Sequence, residues 1–129
     1  MSKKMSCLNQ KGFTLIELIS VMIIMGVVAS VSIQKFDIVS ETASEQALQL
    51  AVKELNIRES LTWSQMKISA DGYTTDEELY ELVDKNLDGK YLWTSGPNRT
   101  AGGTLQFQSK SLTLSRQEST PIAAGRWQP

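Results

Sequence analysis

An α+β fold is expected: a long N-terminal helix, its first part membrane-spanning, packed on a small antiparallel sheet. Three observations predict it. Phe13 to Ile33 is an apolar run of 21 residues whose only ionisable member is Glu17. No Gly or Pro interrupts the chain between Gly26 and Gly72. Beyond Gly89, short segments alternate apolar and polar residues between turn-forming sequences, the pattern of a half-buried antiparallel sheet.

Residues 1–12 form a polar leader with Lys3, Lys4 and Lys11 and no acid. Positive charge held on the cytoplasmic side orients the next segment with its C-terminal end outward. As a helix, the run from Phe13 to Ile33 extends about 31 Å, enough to cross a hydrocarbon core of about 30 Å. It does not read as a secretory signal peptide. The run is too long, carries an acid near its start, and ends without an Ala-x-Ala site. Glu17 is costly in such a place, and membrane carboxylates commonly have a partner and a function. It can snorkel toward the interface, or it can be paired. A cut after Gly12 would free the α-amine of Phe13, which a neighbouring copy could present to Glu17. Such a pair fixes register more than it adds stability. Gly26, with Ala29 and Ser30, allows close helix–helix approach; it fits equally well the ordinary tolerance of Gly in membrane helices.

The sequence Lys11-Gly12-Phe13-Thr14-Leu15-Ile16-Glu17-Leu18-Ile19 resembles the prepilin signal of type IV pilins and of type II secretion pseudopilins. The basic residue, the Gly-Phe junction, the Glu at the fifth position beyond it and the uncharged apolar run occur together. The likeness covers residues 11–36. It implies cleavage after Gly12 by a membrane aspartyl peptidase, N-methylation of Phe13, and a pilin-like fold. It also implies polymerisation through the N-terminal helix into a helical filament, serving secretion, adhesion, motility or DNA uptake. The implied partners are other pilins or pseudopilins, the prepilin peptidase, an inner-membrane platform protein and an assembly ATPase. The implied location is the inner membrane, single-pass with a periplasmic head, and then the filament. Glu17 suits a shaft subunit rather than a tip initiator. Relatives often carry Pro where this chain has Gln34; Gln34 keeps its N–H, so no kink is imposed. The rival class is a membrane-anchored binding or adhesion protein that does not polymerise.

Residues 34–66 are expected to continue the helix as an amphipathic half. Ile33, Phe36, Val39, Ala43, Ala47, Leu50, Ala51, Leu55 and Leu61 recur mostly at spacings of three and four, one stripe that would press on the head. Glu41, Glu45, Gln49, Lys53 and Arg58 fall on other faces. Residues 67–129 form the head. Thr74-Thr75-Asp76-Glu77-Glu78 reads as a helix start, with a hydroxyl cap and acids at the positive end of the dipole. Leu79, Leu82, Val83 and Leu87 would be its buried side. Tyr91–Thr94 reads as a strand, and Thr104–Gln108 with Leu112–Ser115 as a hairpin across Ser109-Lys110. The tail from Gln117 is polar and expected to be loosely held, with Ile122 and Trp127 as the residues able to pin it.

The chain has 13 basic and 14 acidic residues and no His. Without the three leader lysines the side-chain balance falls to −4, which does not favour a nucleic-acid partner. The one Cys, Cys7, lies in the leader, so the mature chain has no disulfide. Without His, a mature Cys or a Gly-rich phosphate loop, no catalytic constellation is present and no enzyme is expected. Asp84, Asn86 and Asp88, followed by Gly89, have the alternation of a calcium loop. The twelfth position would be Ser95 rather than Glu, so an Asp-Gly turn fits as well. A calcium ion is the only cofactor expectation. Asn98-Arg99-Thr100 matches a glycosylation acceptor.

Overall fold

The computed structural model describes residues 12–129; the rest of the leader, with Lys3, Lys4, Cys7 and Lys11, lies outside the described residues. The elements are α1 (Leu15–Ile68), α2 (Asp76–Leu82), β1 (Tyr91–Asn98), β2 (Gly102–Phe107), β3 (Lys110–Gln117) and β4 (Arg126–Gln128). The chain divides into two compact units, Met1–Ile38 and Val39–Pro129. The expected α+β, pilin-like architecture is the one observed.

In the N-terminal unit, α1 from Leu18 to Ile33 carries apolar residues on all sides and is uncovered. Ile16, Met22, Ile23, Met25 and Val27 are all more than half exposed. Hydroxyls there are satisfied within the helix: Ser20 Oγ donates to the Ile16 carbonyl and Ser32 Oγ to that of Val28. A hydroxyl that bonds one turn back costs little in an apolar setting. The helix is long and apolar enough to cross a membrane.

In the head unit, the expected single apolar stripe splits into two. Leu48, Ala51, Val52 and Leu55 are buried against the sheet, while Leu50, Ile57 and Leu61 stay more than half exposed. Helical turns of about 100° per residue put these two sets on opposite sides. The spacing rule counted Leu50 and Leu61 with Ala51 and Leu55, although they project elsewhere. The helix ends at Ile68, two residues beyond the expected Met66, where Ser69 Oγ donates back to the Met66 carbonyl.

The sheet is a four-stranded antiparallel meander in the order β1-β2-β3-β4. Three strands were expected; the fourth comes from the tail. β1 also runs past Gly96-Pro97 to Asn98, with register shifts after Trp93 and Ser95. The β1–β2 turn depends on Gly102, whose φ is +73° and whose added Cβ would meet the Leu114 carbonyl oxygen at 1.9 Å. Only Gly fits that conformation and that closeness. Leu105, Leu114 and Trp127 meet Leu48, Ala51, Val52 and Leu55 of α1 in the main core, with Tyr80 and Leu87. Tyr91 stacks obliquely on Phe107 at 4.8 Å between centroids and Trp93 on Trp127 at 5.6 Å.

α2 starts at its expected place. Thr75 is the cap, its Oγ1 accepting from Glu78 N at 3.3 Å. Leu79 and Val83 are buried with Met66 in a second cluster, with Trp63 and Tyr73 packed on it. Two of the expected buried residues differ. Leu82 points outward, 62 % exposed. Leu87 is buried, but from the extended segment after the helix. The tail is not loose: Ser119 and Trp127 are buried. Ile122, expected as a possible pin, is instead 90 % exposed.

Candidate functional site

The segment that starts the described chain carries the residues singled out from sequence. Gly12 is exposed, with nothing near an added Cβ. Phe13 is 90 % exposed. Both residues lie ahead of the helix, which starts at Leu15. Next to them, Thr14 and Glu17 form a capping box that the sequence reading missed. The Glu17 carboxylate accepts from Thr14 N at 2.8 Å, and Thr14 Oγ1 accepts from Glu17 N at 3.3 Å. The Thr-x-x-Glu spacing before an apolar run is the legible sign of this motif. Glu17 therefore helps to start the helix, and one of its oxygens is held at the backbone N–H of the residue after Phe13. Among the described residues no cation pairs with it.

The head contains a second charge constellation, with a buried centre and an exposed edge. Arg116 donates from Nε and Nη2 to Glu59 of α1 at 2.7 and 3.0 Å, and from Nη1 and Nη2 to Asp76 of α2 at 2.9 Å each. Arg99 adds contacts to Asp76 and Glu118. Ser119 donates to Asp76 from both N and Oγ, and Trp127 Nε1 donates to Glu59. Arg116 and Glu59 side chains are fully buried. Among the described residues no buried side-chain polar atom lacks a partner.

Burial by itself would raise the Asp76 carboxyl, but the bonds from Arg116 and Ser119 outweigh it and hold it well below the usual carboxylate range. Burial likewise opposes the Arg116 charge, and the Glu59 and Asp76 carboxylates reverse that, raising Arg116 above its ordinary value. One guanidinium thus ties α1, α2, β3 and the tail together. Two further devices close the tail. Asn56 makes a two-way clasp with Trp127, donating to its carbonyl at 3.0 Å and accepting from its N–H at 2.7 Å. At Gly125 an added Cβ would stand 2.6 Å from Glu59 Oε2. With no cysteine among the described residues, the head fastens its C-terminal segment with charge and amide bonds. A sequence cue existed: Arg116 alternates with Leu112 and Leu114 and so shares their inward face.

The expected calcium residues lie on the segment after α2, and that segment is engaged by cationic side chains. Arg58 Nη1 donates to the carbonyls of Asp84 and Asn86 at 3.0 and 2.9 Å and stands 3.7 Å from Asp84 Oδ2. Asp84 Oδ1 accepts from Asn86 N, and the Asp88 carbonyl accepts from Lys90 N and Tyr91 N. Lys85 Nζ donates to the carbonyls of Tyr80 and Val83 at the end of α2, where a cation meets the negative end of the helix dipole. No three Asp, Glu, His or Cys side chains gather to hold a metal among the described residues. Asn98 is exposed at the end of β1.

A family model described as the prokaryotic N-terminal methylation motif matches residues 7–33. No curated protein and no solved structure matches the chain. The match covers the Gly12–Phe13 junction, the capping box and most of the uncovered apolar helix. This chain carries the prepilin-type signal of type IV pilin and pseudopilin precursors, joined to a pilin-like α+β architecture.

Proposed function

We propose that the chain is a structural subunit of a helical, type IV pilus-like filament. It is inserted in the inner membrane by α1 with its head on the periplasmic side. It is cut between Gly12 and Phe13 and methylated on the new Phe13 amine. It is then drawn into a filament with other pilins or pseudopilins by a platform protein and an assembly ATPase. The observation that carries this reading is the methylation motif over residues 7–33, whose part from Leu15 onward lies on a helix with an uncovered apolar surface. An uncovered apolar helix needs lipid or other helices around it, and a filament core supplies the second when the subunit leaves the first.

Within this reading Glu17 exchanges its bond with Thr14 for the Phe13 amine of a neighbour. Unpaired, its carboxylate is costly in apolar surroundings; paired, it sets the axial step between subunits. Intact-mass spectrometry of the protein from its native membrane tests the proposal. A mass that begins at Phe13 and carries one extra methyl group is expected. A chain left uncut in cells with an active prepilin peptidase would overturn it and favour the anchored binding protein.

A further inference from the structure

The turn Thr120–Ala123 closes on itself by two backbone bonds, Thr120 N to the Ala123 carbonyl and Ala123 N to that of Thr120. It is also bolted to the head from outside. Tyr73 OH donates to the Ser119 carbonyl at 3.0 Å, Trp63 Nε1 to that of Thr120 at 2.9 Å and Lys67 Nζ to that of Pro121 at 2.8 Å. Three successive carbonyls are therefore fixed by side chains. The tip of this rigid turn is apolar, and it holds Ile122 at 90 % exposure. An apolar side chain carried on a backbone that is already fixed has less ordering to undergo on binding, which suits an interface anchor.

On the other flank of the same end of α1 lies an open cleft of about 420 Å³ walled by Met66 and Leu82, with Asp71 and Glu78 among its polar lining. Its charge complements the turn. Among the described residues Lys67, beside Ile122's turn, has no carboxylate partner, and neither Asp71 nor Glu78 has a cation, the Glu78 carboxylate accepting only from the Thr74 hydroxyl and leaving its second oxygen open. Lys67 and Asp71 are four residues apart, yet they form no ion pair because α1 ends between them.

We propose that the Pro121–Ile122 turn of one copy docks in the Met66–Leu82 cleft of the next, with Lys67 of the first facing Asp71 and Glu78 of the second. The two surfaces do not overlap, so the contact is head-to-tail; such contacts do not pair off as dimers but propagate into rings or helices. The inference rests on the filament reading and adds to it a specific contact between heads.

The test uses the full chain, whose mature form has no cysteine of its own. Ile122→Cys, Leu82→Cys and the double variant are assembled in cells, and filaments are collected by shearing and treated with a short bis-maleimide. Both residues are exposed, so neither change disturbs the core. A ladder of cross-linked multimers from the double variant, absent from both single variants, is expected. Sheared filaments of the double variant that give only monomer would overturn the docking while leaving the filament reading in place. Cross-linking of the Ile122→Cys single variant to a different protein would also overturn it. No filaments from the wild-type chain would remove the filament reading and this inference with it. As a second measurement, Lys67→Glu should reduce filament yield several-fold, and adding Asp71→Lys should restore it; equal yield from all three chains would overturn the charge pairing.

Discussion

Two glutamates on the same helix have opposite circumstances. Glu59 is fully buried, and both its oxygens are taken by Arg116, with Trp127 Nε1 sharing one. Glu17 is exposed on an uncovered apolar stretch, and its one described partner is the Thr14 N–H three residues away. A buried carboxylate with a complete set of internal partners belongs to the fold. A carboxylate in an apolar setting with a single local partner is open to a further one. An unpaired charge taken out of water is costly wherever it lies; Glu59 has its countercharge inside the chain, and under the proposed filament reading Glu17 would take one from a neighbouring subunit.

The sharpest way to break this comparison is to remove each carboxylate separately. Glu59→Ala leaves the Arg116 guanidinium with a missing partner inside the head and should lower head stability by about 3–5 kcal/mol, measured by urea unfolding in detergent. Glu17→Val should leave that unfolding curve in place, and insertion and cleavage too, while sheared filament yield falls to background. Normal filaments from Glu17→Val would end the assembly role.

Gly125→Ala probes the same buried pair from the backbone side, because its Cβ would press on Glu59 and Arg116. Overpacking of this kind typically costs about 1–3 kcal/mol. The urea midpoint should drop, and the near-ultraviolet signal of Trp127 should weaken first. An unchanged midpoint would mean that the tail is not tied through this contact.

Acid titration probes the buried network of the head. The Asp76 carboxyl is depressed in the folded head, so its contribution is fully present above the unfolded carboxylate value of about 4 and is lost as pH falls below that. The wild-type head should lose stability progressively below about pH 4. Asp76→Asn should be less stable at pH 7 and show a shallower acid slope. Parallel slopes for the two proteins would show that other carboxylates govern the acid limb.

The smallest expected effects are at the two caps. Thr75→Ala removes the cap of α2 and should cost the head about 1 kcal/mol. Thr14→Ala removes the capping-box partner of Glu17 and should leave the head's urea curve untouched. If Thr14→Ala shifted that curve, the two ends of α1 would not be energetically separate.

Much of this was readable because it is local. A 21-residue apolar run, a basic leader, a Gly-Phe junction and an acid at a fixed offset are contiguous, and the membrane helix needs only its own composition to be recognised. The α2 start was legible for the same reason, since a cap and its acceptor lie three residues apart. The hairpin of β2 and β3 followed from period-2 alternation.

What the sequence by itself determined, then, is the processing signal, the long helix and the class of the head. The tertiary structure alone decided which of α1's apolar residues face the sheet. Spacing rules accept Leu50 and Ala51 alike, and only the placement of the sheet selects one. It also decided the fate of the tail. Trp127, Asn56, Glu59, Asp76 and Arg116 meet across separations of 40 to 71 residues, and no local pattern encodes a contact at that range. Their partners are chosen by the packing that brings α1, α2 and the sheet together, because a charge enters a core only where its counterparts are already being buried with it.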